Sequence, residues 1–231
     1  MEGTPPESKR RIKSYVLRAG RVTEAQKRSY GFLSEKYLVP FEEEPANPQD
    51  FFGNEDQVSL EIGFGMGTAT AIIAEANPGK NYLGIEVHRP GIGKLLWEIE
   101  KRGLANVRII EHDAVEVLEK MIYPASFEAV HIFFPDPWPK KRHHKRRLVT
   151  RPFTDTLACA LKPDGYLYMV TDWEDYAKWA LTELGATPGL SNPCGGFSPA
   201  QEWRPRTKFE QKGLDKNRKV WELFFNRDHE R

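Results

Sequence analysis

Short apolar segments alternate with helical patterns along most of the chain after residue 56. Segments rich in β-branched, aromatic and other apolar residues, which are typical of strands, occur at 57–63, 81–87, 107–113, 127–134, 165–172 and 220–226. Between them, helical spacing of apolar residues occurs at 68–77, 91–103, 114–122, 150–162 and 173–184. Strands that alternate with helices of this length predict a doubly wound α/β domain with a mostly parallel sheet.

The two regions outside this pattern differ from it in composition. Residues 9–28 hold eight Lys or Arg and one acid, whereas residues 41–56 hold six acids and no base. We therefore expect residues 1–56 to form a basic N-terminal arm and an acidic linker, and residues 57–231 to form the globular domain. The sequence predicts a long irregular insertion at 190–218, and KPDG at 162–165 predicts a turn into the fifth strand.

Composition narrows the class of protein. No apolar run reaches the ~20 residues that span a bilayer, and the first residues lack the apolar stretch of a signal peptide. Cys159 and Cys194 lack the spacing of a zinc site or a disulfide scaffold. His143 and His144 are adjacent, so on a helix their side chains point apart. We expect a cytoplasmic protein with reduced thiols, without a membrane partner and without a metal.

The formal net charge of +1 conceals a strong segregation of charge. The basic arm and a second basic run after Asp136 are expected to line one face that follows the phosphate backbone of a nucleic acid. Exposed helix or loop faces that are simply solvated would give the same charge runs, and the charges alone leave both interpretations open.

A glycine-rich turn follows the first predicted strand. Gly63, Gly65 and Gly67 lie where a missing side chain lets the backbone turn sharply and approach a ligand. The spacing is G-x-G-x-G, so the dinucleotide fingerprint G-x-G-x-x-G is absent. In open α/β sheets, ligands bind at the carboxyl ends of the strands.

Acidic residues lie at the ends of the first three predicted strands. Glu86 follows Gly63 by 23 positions, where an acid can accept hydrogen bonds from ribose hydroxyls, and Asp113 can accept one from an adenine amine. Glu61, just before the glycines, repels a pyrophosphate and attracts a sulfonium or an ammonium. Together they favour S-adenosylmethionine over NAD. For each acid alone a helix cap is the alternative, and Asp113 before a helical segment fits it well.

The stretch HIFFPDPWPKKRHHKRR at 131–147 brings one acid to the end of a strand and a basic run directly after it. Pro135 and Pro137 restrict the backbone on both sides of Asp136, which holds its carboxylate in place. A tight turn formed by Asp136 is the alternative. Trp138 is interpreted as a core residue, with stacking on a base as the alternative.

These motifs together resemble those of one family. EIGFGMG, GIEVHRPG, EHDA, FFPDPWPKKRHHKRR, LKPDGYLYMVTD and TKFE are similar, in this order, to motifs of the bacterial tRNA (guanine-N7)-methyltransferases. The similarity runs from the N-terminal arm to TKFE. It implies a Rossmann-like class I methyltransferase fold at 57–231, S-adenosylmethionine as cofactor, and methyl transfer to N7 of a guanine in the tRNA variable loop, position 46.

The resemblance also implies roles for individual residues. It makes Asp136 catalytic. It assigns S-adenosylmethionine binding to Glu61, Gly63, Glu86, Asp113 and Asp136. It assigns substrate binding to Lys140, Asp172, Thr207, Lys208, Phe209 and Glu210. RNA binding is expected of Arg142, His143, His144, Lys145, Arg146 and Arg147. The alternatives are an RNA-binding module that keeps the fold without activity, and an NAD-dependent enzyme. A monomer and a homodimer are both compatible with the sequence.

Overall fold

The computed structural model describes residues 12–16, 22–207, 210–211 and 218–229. Its α-helices are α1 Glu24–Tyr37, α2 Thr68–Ala76, α3 Arg89–Arg102, α4 Ala114–Lys120, α5 Phe153–Ala160 and α6 Glu174–Gly185. Short 3₁₀ helices cover Pro48–Phe51 and Lys141–Arg146. The strands are β1 Val58–Ile62, β2 Asn81–Ile85, β3 Val107–Ile110, β4 Phe127–Phe133, β5 Leu161–Thr171, β6 Leu190–Ser191 and β7 Trp221–Arg227.

The strands form one sheet in the order β3-β2-β1-β4-β5-β7-β6. Strands β1 to β5 pair in parallel, and β7 lies antiparallel between β5 and β6. The chain order reverses between β1 and β4, which pair through Leu60 and Val130. The predicted doubly wound, mostly parallel α/β fold is confirmed, and the reversal places the ligand crevice beyond the carboxyl ends of β1 and β4.

The core lies in two clusters that cover the sheet from both sides. One cluster joins β1, β2, β4 and β5 to the inner sides of α4, α5 and α6. The other joins β2 and β3 to α2 and α3, with α1 packed against it. Central strands β1 and β2 are buried along their whole length, so the polar residues Ser59, Glu61 and Asn81 are buried together with their apolar neighbours.

Helix α1 lies in the region where the sequence predicted only a basic arm. Thr23 caps it: the backbone N–H of Gln26 donates to Thr23 Oγ1 at 3.3 Å, and the Gln26 side chain accepts from the Thr23 N–H at 2.8 Å. Gln26 also donates to Pro90 O at 3.0 Å, so α1 packs on α3 through polar as well as apolar residues. Its contact face therefore mixes polar residues with the apolar Tyr30, Leu33 and Tyr37. The division of the chain at residue 56 stays a prediction.

The KPDG segment is part of β5 in the structure. The register between β4 and β5 shifts between Phe127 and Ala129, and the extra residues of β5 form a bulge there. Asp164 adopts a φ of +62°, which Asp tolerates better than most residues. The turn residues thus bend a strand that continues through them. Strand β6 lies inside the predicted insertion.

Candidate active site

A cavity of about 230 Å³ lies at the carboxyl ends of β1, β2 and β4. Its wall includes Ile62, Gly63, Glu86, Pro135 and Asp136, so the structure brings the glycine turn and the proline-flanked acid to one place. Ser14 and Tyr15 also line it, which means that the N-terminal segment 12–16 reaches the cavity. The sequence contained no signal for this approach, because it depends on how a segment far from the sheet folds back.

The glycine turn owes its shape to backbone angles that side chains disfavour. Gly63, Gly65 and Gly67 have φ values of +72°, +58° and +67°. A Cβ on Gly63 or Gly65 would meet no atom within 4 Å, so both glycines are needed for conformation, not for space. Gly67 starts α2, and its missing side chain lets Leu95 pack against it. The G-x-G-x-G spacing is therefore explained by three left-handed residues.

Gly91 supports this turn from below. A Cβ placed on Gly91 would lie 1.9 Å from the carbonyl oxygen of Gly65, closer than atoms can approach. The first turn of α3 thus packs directly against the glycine turn. Gly91 belongs to the motif GIEVHRPG, but the sequence did not indicate this contact, since a close approach of two backbones leaves no local pattern.

Glu86 directly follows β2 and connects the glycine turn to the end of this strand by hydrogen bonds. Its Oε2 accepts from the N–H of Gly65 at 2.9 Å, and its Oε1 accepts from the N–H groups of Val87 and His88 at 2.7 and 3.0 Å. Three backbone donors fix the orientation of the carboxylate at the wall of the cavity. The two oxygens offer about four lone-pair sites and three are used, so Oε2 keeps one with which Glu86 can accept from a ligand hydroxyl.

Glu61 lies within β1 and is buried. Thr70 donates a hydrogen bond of 2.8 Å to its Oε2. Burial, helped by the negative charge of Glu86, raises the pKa of Glu61 to about 7 despite the bond from Thr70. The described residues that line the cavity do not include Glu61, which lies behind the glycine turn. A cation bound in front of that turn would favour its ionised form.

Asp113 is the N-cap of α4. Its Oδ1 accepts from the backbone N–H of Val115 at 3.0 Å, and the residue is buried. This is the cap that the sequence offered as the alternative to adenine binding. Its neighbours His112 and Ala114 line the cavity. A contact from Asp113 to an adenine stays a prediction.

Two strained residues bracket the proline-flanked acid. Phe134 and Trp138 have φ values of +50° and +47°, in the left-handed region that non-glycine residues rarely adopt. The N–H of Phe134 donates to Val170 O at 2.8 Å, which holds the start of the turn on β5. Asp136 is exposed at the wall of the cavity. Strain of this kind is common where a side chain must be held for function.

Arg147 does not lie on the basic surface where the sequence placed it. None of its side chain is exposed. It donates from Nε to Pro137 O at 3.1 Å, pairs with Asp175 on α6, and packs over the rings of Tyr176 and Trp179. The RNA-binding prediction for Arg147 is therefore corrected. A buried guanidinium cannot reach a phosphate, and this one supports the turn that carries Asp136.

The remaining basic residues stand on the 3₁₀ helix and just before it. Lys140, Arg142 and Lys145 are exposed, whereas His143, His144 and Arg146 are half-buried. The Arg146 guanidinium lies 5.0 Å from the centre of the Trp138 ring and donates to Lys13 O at 3.3 Å. Trp138 itself is half-buried and donates from Nε1 to Ser14 O at 3.0 Å. The N-terminal segment and the second basic run therefore adjoin each other.

Three of the predicted substrate residues, Asp172, Thr207 and Glu210, lie near the end of β5 and the start of β7. Asp172 follows β5, and its Oδ2 accepts from Arg218 NH1 at 2.7 Å. Thr207 caps a helical turn, since its Oγ1 accepts from the N–H of Glu210 at 3.2 Å. Glu210 is buried, and Arg204 binds both of its carboxylate oxygens. Lys208 and Phe209 lie outside the described residues. No motif in the sequence indicated a role for Arg204.

No helix in the part of the chain that the structure describes has the length and apolar character needed to cross a membrane. Within the same residues, no group of three or more His, Cys, Asp or Glu side chains could hold a metal ion.

A sheet of this order with an antiparallel β7, and a glycine turn at the switch point, defines the class I methyltransferase fold. Solved structures agree in fold. The 16S rRNA methyltransferase KamB has a TM-score of 0.56 at 13% identity and covers 95% of this chain and 99% of its own. A variant 16S rRNA (adenine(1408)-N(1))-methyltransferase with cosubstrate SAM, from Catenulisporales acidiphilia, has a TM-score of 0.54 at 13% identity, covering 78% and 89%.

Sequence comparison identifies the family. Residues 55–223 match a family described as "Putative methyltransferase". The tRNA (guanine-N(7)-)-methyltransferase of Paraburkholderia xenovorans is 50% identical over 97% of this chain and 87% of its own length. That of Nitrosospira multiformis is 48% identical over 94% and 95%. The chain belongs to the family of tRNA (guanine-N7)-methyltransferases.

Proposed function

We propose that the protein transfers a methyl group from S-adenosylmethionine to N7 of guanine 46 in the variable loop of tRNA. The observation that carries this proposal is the position of Asp136, held between two prolines at the wall of the cavity that the glycine turn also lines. The names of relatives that are about half identical over nearly the whole chain support tRNA and guanine N7 as the target.

The residues around the cavity suit S-adenosylmethionine. Gly63 and Gly65 leave open space beside the backbone, and the Glu86 carboxylate at the wall is able to accept from ribose hydroxyls. Glu61, behind the turn, provides negative charge for a cationic methionine moiety, and Asp113 is the proposed partner of the adenine amine. When bound, S-adenosylmethionine supplies a methyl group whose bonding electron pair stays on the departing sulfur.

Guanine N7 determines what this chain has to contribute. N7 carries an in-plane lone pair and no proton, so the protein needs no general base to prepare it. Positioning is then the main task of the site. The purine gains positive charge as N7 is methylated, and the Asp136 carboxylate complements that charge. Asp136 is also suited to accept hydrogen bonds from guanine N1–H and its amino group.

The residues around Asp136 form two groups, one that contacts the base and one that contacts the phosphate backbone of the tRNA. We assign base contacts to Asp172, Thr207 and Glu210, which lie beside the end of β5 and the start of β7, and to Lys208 and Phe209 of the same TKFE motif, and leave Lys140 between the two regions. Phosphate contacts are assigned to the exposed and half-buried residues of the basic run, namely Arg142, His143, His144, Lys145 and Arg146. We further propose that the reaction takes place in the cytoplasm, because its substrate is a tRNA.

The proposal is tested with labelled S-adenosylmethionine and two tRNA transcripts that differ only in having guanine or adenine at position 46. Reduction followed by aniline cleaves the strand at N7-methylguanine, and we expect cleavage after position 46 in the first transcript alone. Label without cleavage would refute N7 as the acceptor, and cleavage elsewhere would refute position 46. Binding of tRNA without any label would favour an RNA-binding module, and binding of a nicotinamide cofactor in calorimetry would favour an NAD-dependent enzyme.

A further inference from the structure

Arg204 is the centre of a buried polar cluster that the proposed chemistry does not use. Its two terminal nitrogens donate to the two oxygens of Glu210 at 2.7 and 2.9 Å, and NH2 also donates to Glu222 Oε1 at 3.0 Å. Its Nε donates to Tyr168 OH at 3.3 Å, and Tyr168 OH donates to Glu222. The side chains of Arg204, Glu210 and Glu222 are 5%, 3% and 6% exposed. All three nitrogens of this buried guanidinium thus have hydrogen-bond partners.

The cluster joins two strands to the TKFE segment. Tyr168 belongs to β5, Glu222 belongs to β7, and these two residues lie close to each other across the sheet. Glu210 belongs to the helical turn that Thr207 caps through the backbone N–H groups of Glu210 and Gln211. Arg204 therefore fixes this capped turn on the sheet. In a usual capping box the glutamate would return to the N–H of its own cap, and here it is turned towards Arg204 instead.

The same guanidinium also contacts the turn that carries Asp136. Its central carbon lies 6.0 Å from the centre of the Phe134 ring, on the face of the ring. Phe134 is the left-handed residue that precedes Pro135, and it lines the cavity. One side chain thus contacts the two segments that hold the proposed base-binding residues.

Burial alone would lower the pKa of Arg204, but its bonds to Glu210 and Tyr168 and the two carboxylates raise it above the usual value. Arg204 therefore stays charged. Two buried carboxylates next to one guanidinium depend on it, because an unpaired charge in such a place is strongly destabilising. The geometry is bidentate, which a lysine ammonium cannot reproduce.

We infer that Arg204 is a positioning residue for the methyl transfer: through Glu210 and Phe134 it holds Glu210 with its cap Thr207, and the Phe134–Asp136 turn, in one fixed relation. This inference rests on the proposed function. It changes the role expected of Glu210, whose carboxylate acts on the guanine through Arg204 and its bonded cap, while Thr207 keeps its side of the cap for contact with the guanine.

The test compares Arg204→Lys with Glu210→Gln, the double variant, and Arg206→Lys as a control. Arg206 is an exposed arginine of the same segment, so Arg206→Lys makes the same replacement without touching the cluster. We expect Arg204→Lys and Glu210→Gln each to lower kcat about 10- to 100-fold, as a displacement near 1 Å does, with KM values for both substrates changed less than about threefold. The kcat of the double variant should be no lower than that of the less active single variant, because the two residues act as a unit.

A measurement without catalysis accompanies the kinetics. Hydrogen exchange at the Glu210 and Gln211 amides should speed up in Arg204→Lys and stay unchanged in Arg206→Lys, since these amides bond to Thr207 in the turn that Arg204 holds. The inference is overturned if Arg204→Lys lowers the melting temperature while kcat stays at the wild-type level, if the two losses in kcat multiply, or if the exchange rates do not change. Failure of the wild-type protein to methylate tRNA would instead refute the proposed function.

Discussion

The Nε atom of Arg147 donates a hydrogen bond of 3.1 Å to the carbonyl oxygen of Pro137. Pro137 directly follows Asp136, and Arg147 is in turn held by Asp175 on α6. The last residue of the basic run is therefore a support for the turn at its beginning. The two ends of the stretch from Asp136 to Arg147 therefore lie next to each other. Within this stretch, only the basic residues between the two ends are available to bind a polyanion.

Replacing Arg147 should affect the turn, and not the RNA surface. We expect Arg147→Met to lower the free energy of unfolding by about 2–4 kcal/mol, because it removes a buried hydrogen-bonded group and its packing on Tyr176 and Trp179. The activity should fall with it, as Asp136 loses its fixed position. Urea denaturation and steady-state kinetics measure the two effects.

Lys145 provides the matched control, since it is an exposed cation two positions away. Lys145→Met should change the free energy of unfolding by less than about 0.5 kcal/mol. It should reduce the slope of log K against log salt for tRNA binding by about 1. A salt slope that falls in Arg147→Met and stays constant in Lys145→Met would contradict the assignment of both residues.

Replacing Asp136 is expected to lower kcat much more than the affinity for tRNA. Asp136→Ala should reduce kcat by about 10³-fold or more, since it removes the charge that complements the cationic product. Affinity for tRNA should stay nearly unchanged, because phosphate contacts dominate it. Asp136→Asn keeps the size and loses the charge, so it separates the two contributions. Filter binding and single-turnover assays give the two quantities, and a parallel loss of affinity and turnover would argue against a charge effect.

Glu61 should make the stability of the protein depend on pH. Burial raises the pKa of Glu61 from 4.5 to about 7, so the folded state holds this proton more tightly than the unfolded chain does. The contribution is fully present below pH 4.5 and is lost as the pH rises through about 7. Relative to wild type, Glu61→Gln should therefore gain up to about 3 kcal/mol of stability between pH 4.5 and pH 8.

Urea denaturation across this range measures the difference between the two proteins. Glu35, an exposed acid on α1, is replaced by Gln in the same way to control for the loss of one carboxyl. Parallel stability curves for wild type and Glu61→Gln would show that the Glu61 carboxyl does not change its proton affinity on folding.

Gly91 should tolerate no side chain. The Cβ of Gly91→Ala would overlap the carbonyl oxygen of Gly65, so either α3 or the glycine turn must move. We expect a loss of about 1–3 kcal/mol in the free energy of unfolding, and weaker binding of S-adenosylmethionine in calorimetry. Gly185→Ala is the control, because a Cβ at the end of α6 would meet no atom within 4 Å. Equal affinity in the two variants would contradict a role for the close approach.

Much of the fold and part of the site could be predicted from the chain alone. The alternation of apolar segments led to the parallel sheet, and the glycines led to a turn that indeed needs three left-handed residues. These features are local, since a periodicity or a backbone angle depends on residues next to each other in sequence. Helix α1 was missed because its contact face mixes Gln26 and Ser29 with Tyr30, Leu33 and Tyr37, which weakens the apolar periodicity.

The sequence by itself determined most of the strands and helices, the glycine turn and the supply of charges at the strand ends. Only the tertiary structure decided which charges are exposed. Arg147 is buried because α6 packs over it, with its partner Asp175 28 positions away, and Arg204 is buried between β5 and β7. Burial depends on which elements distant in sequence pack together. The sequence of a basic run therefore does not show which of its residues are buried and structural and which are exposed.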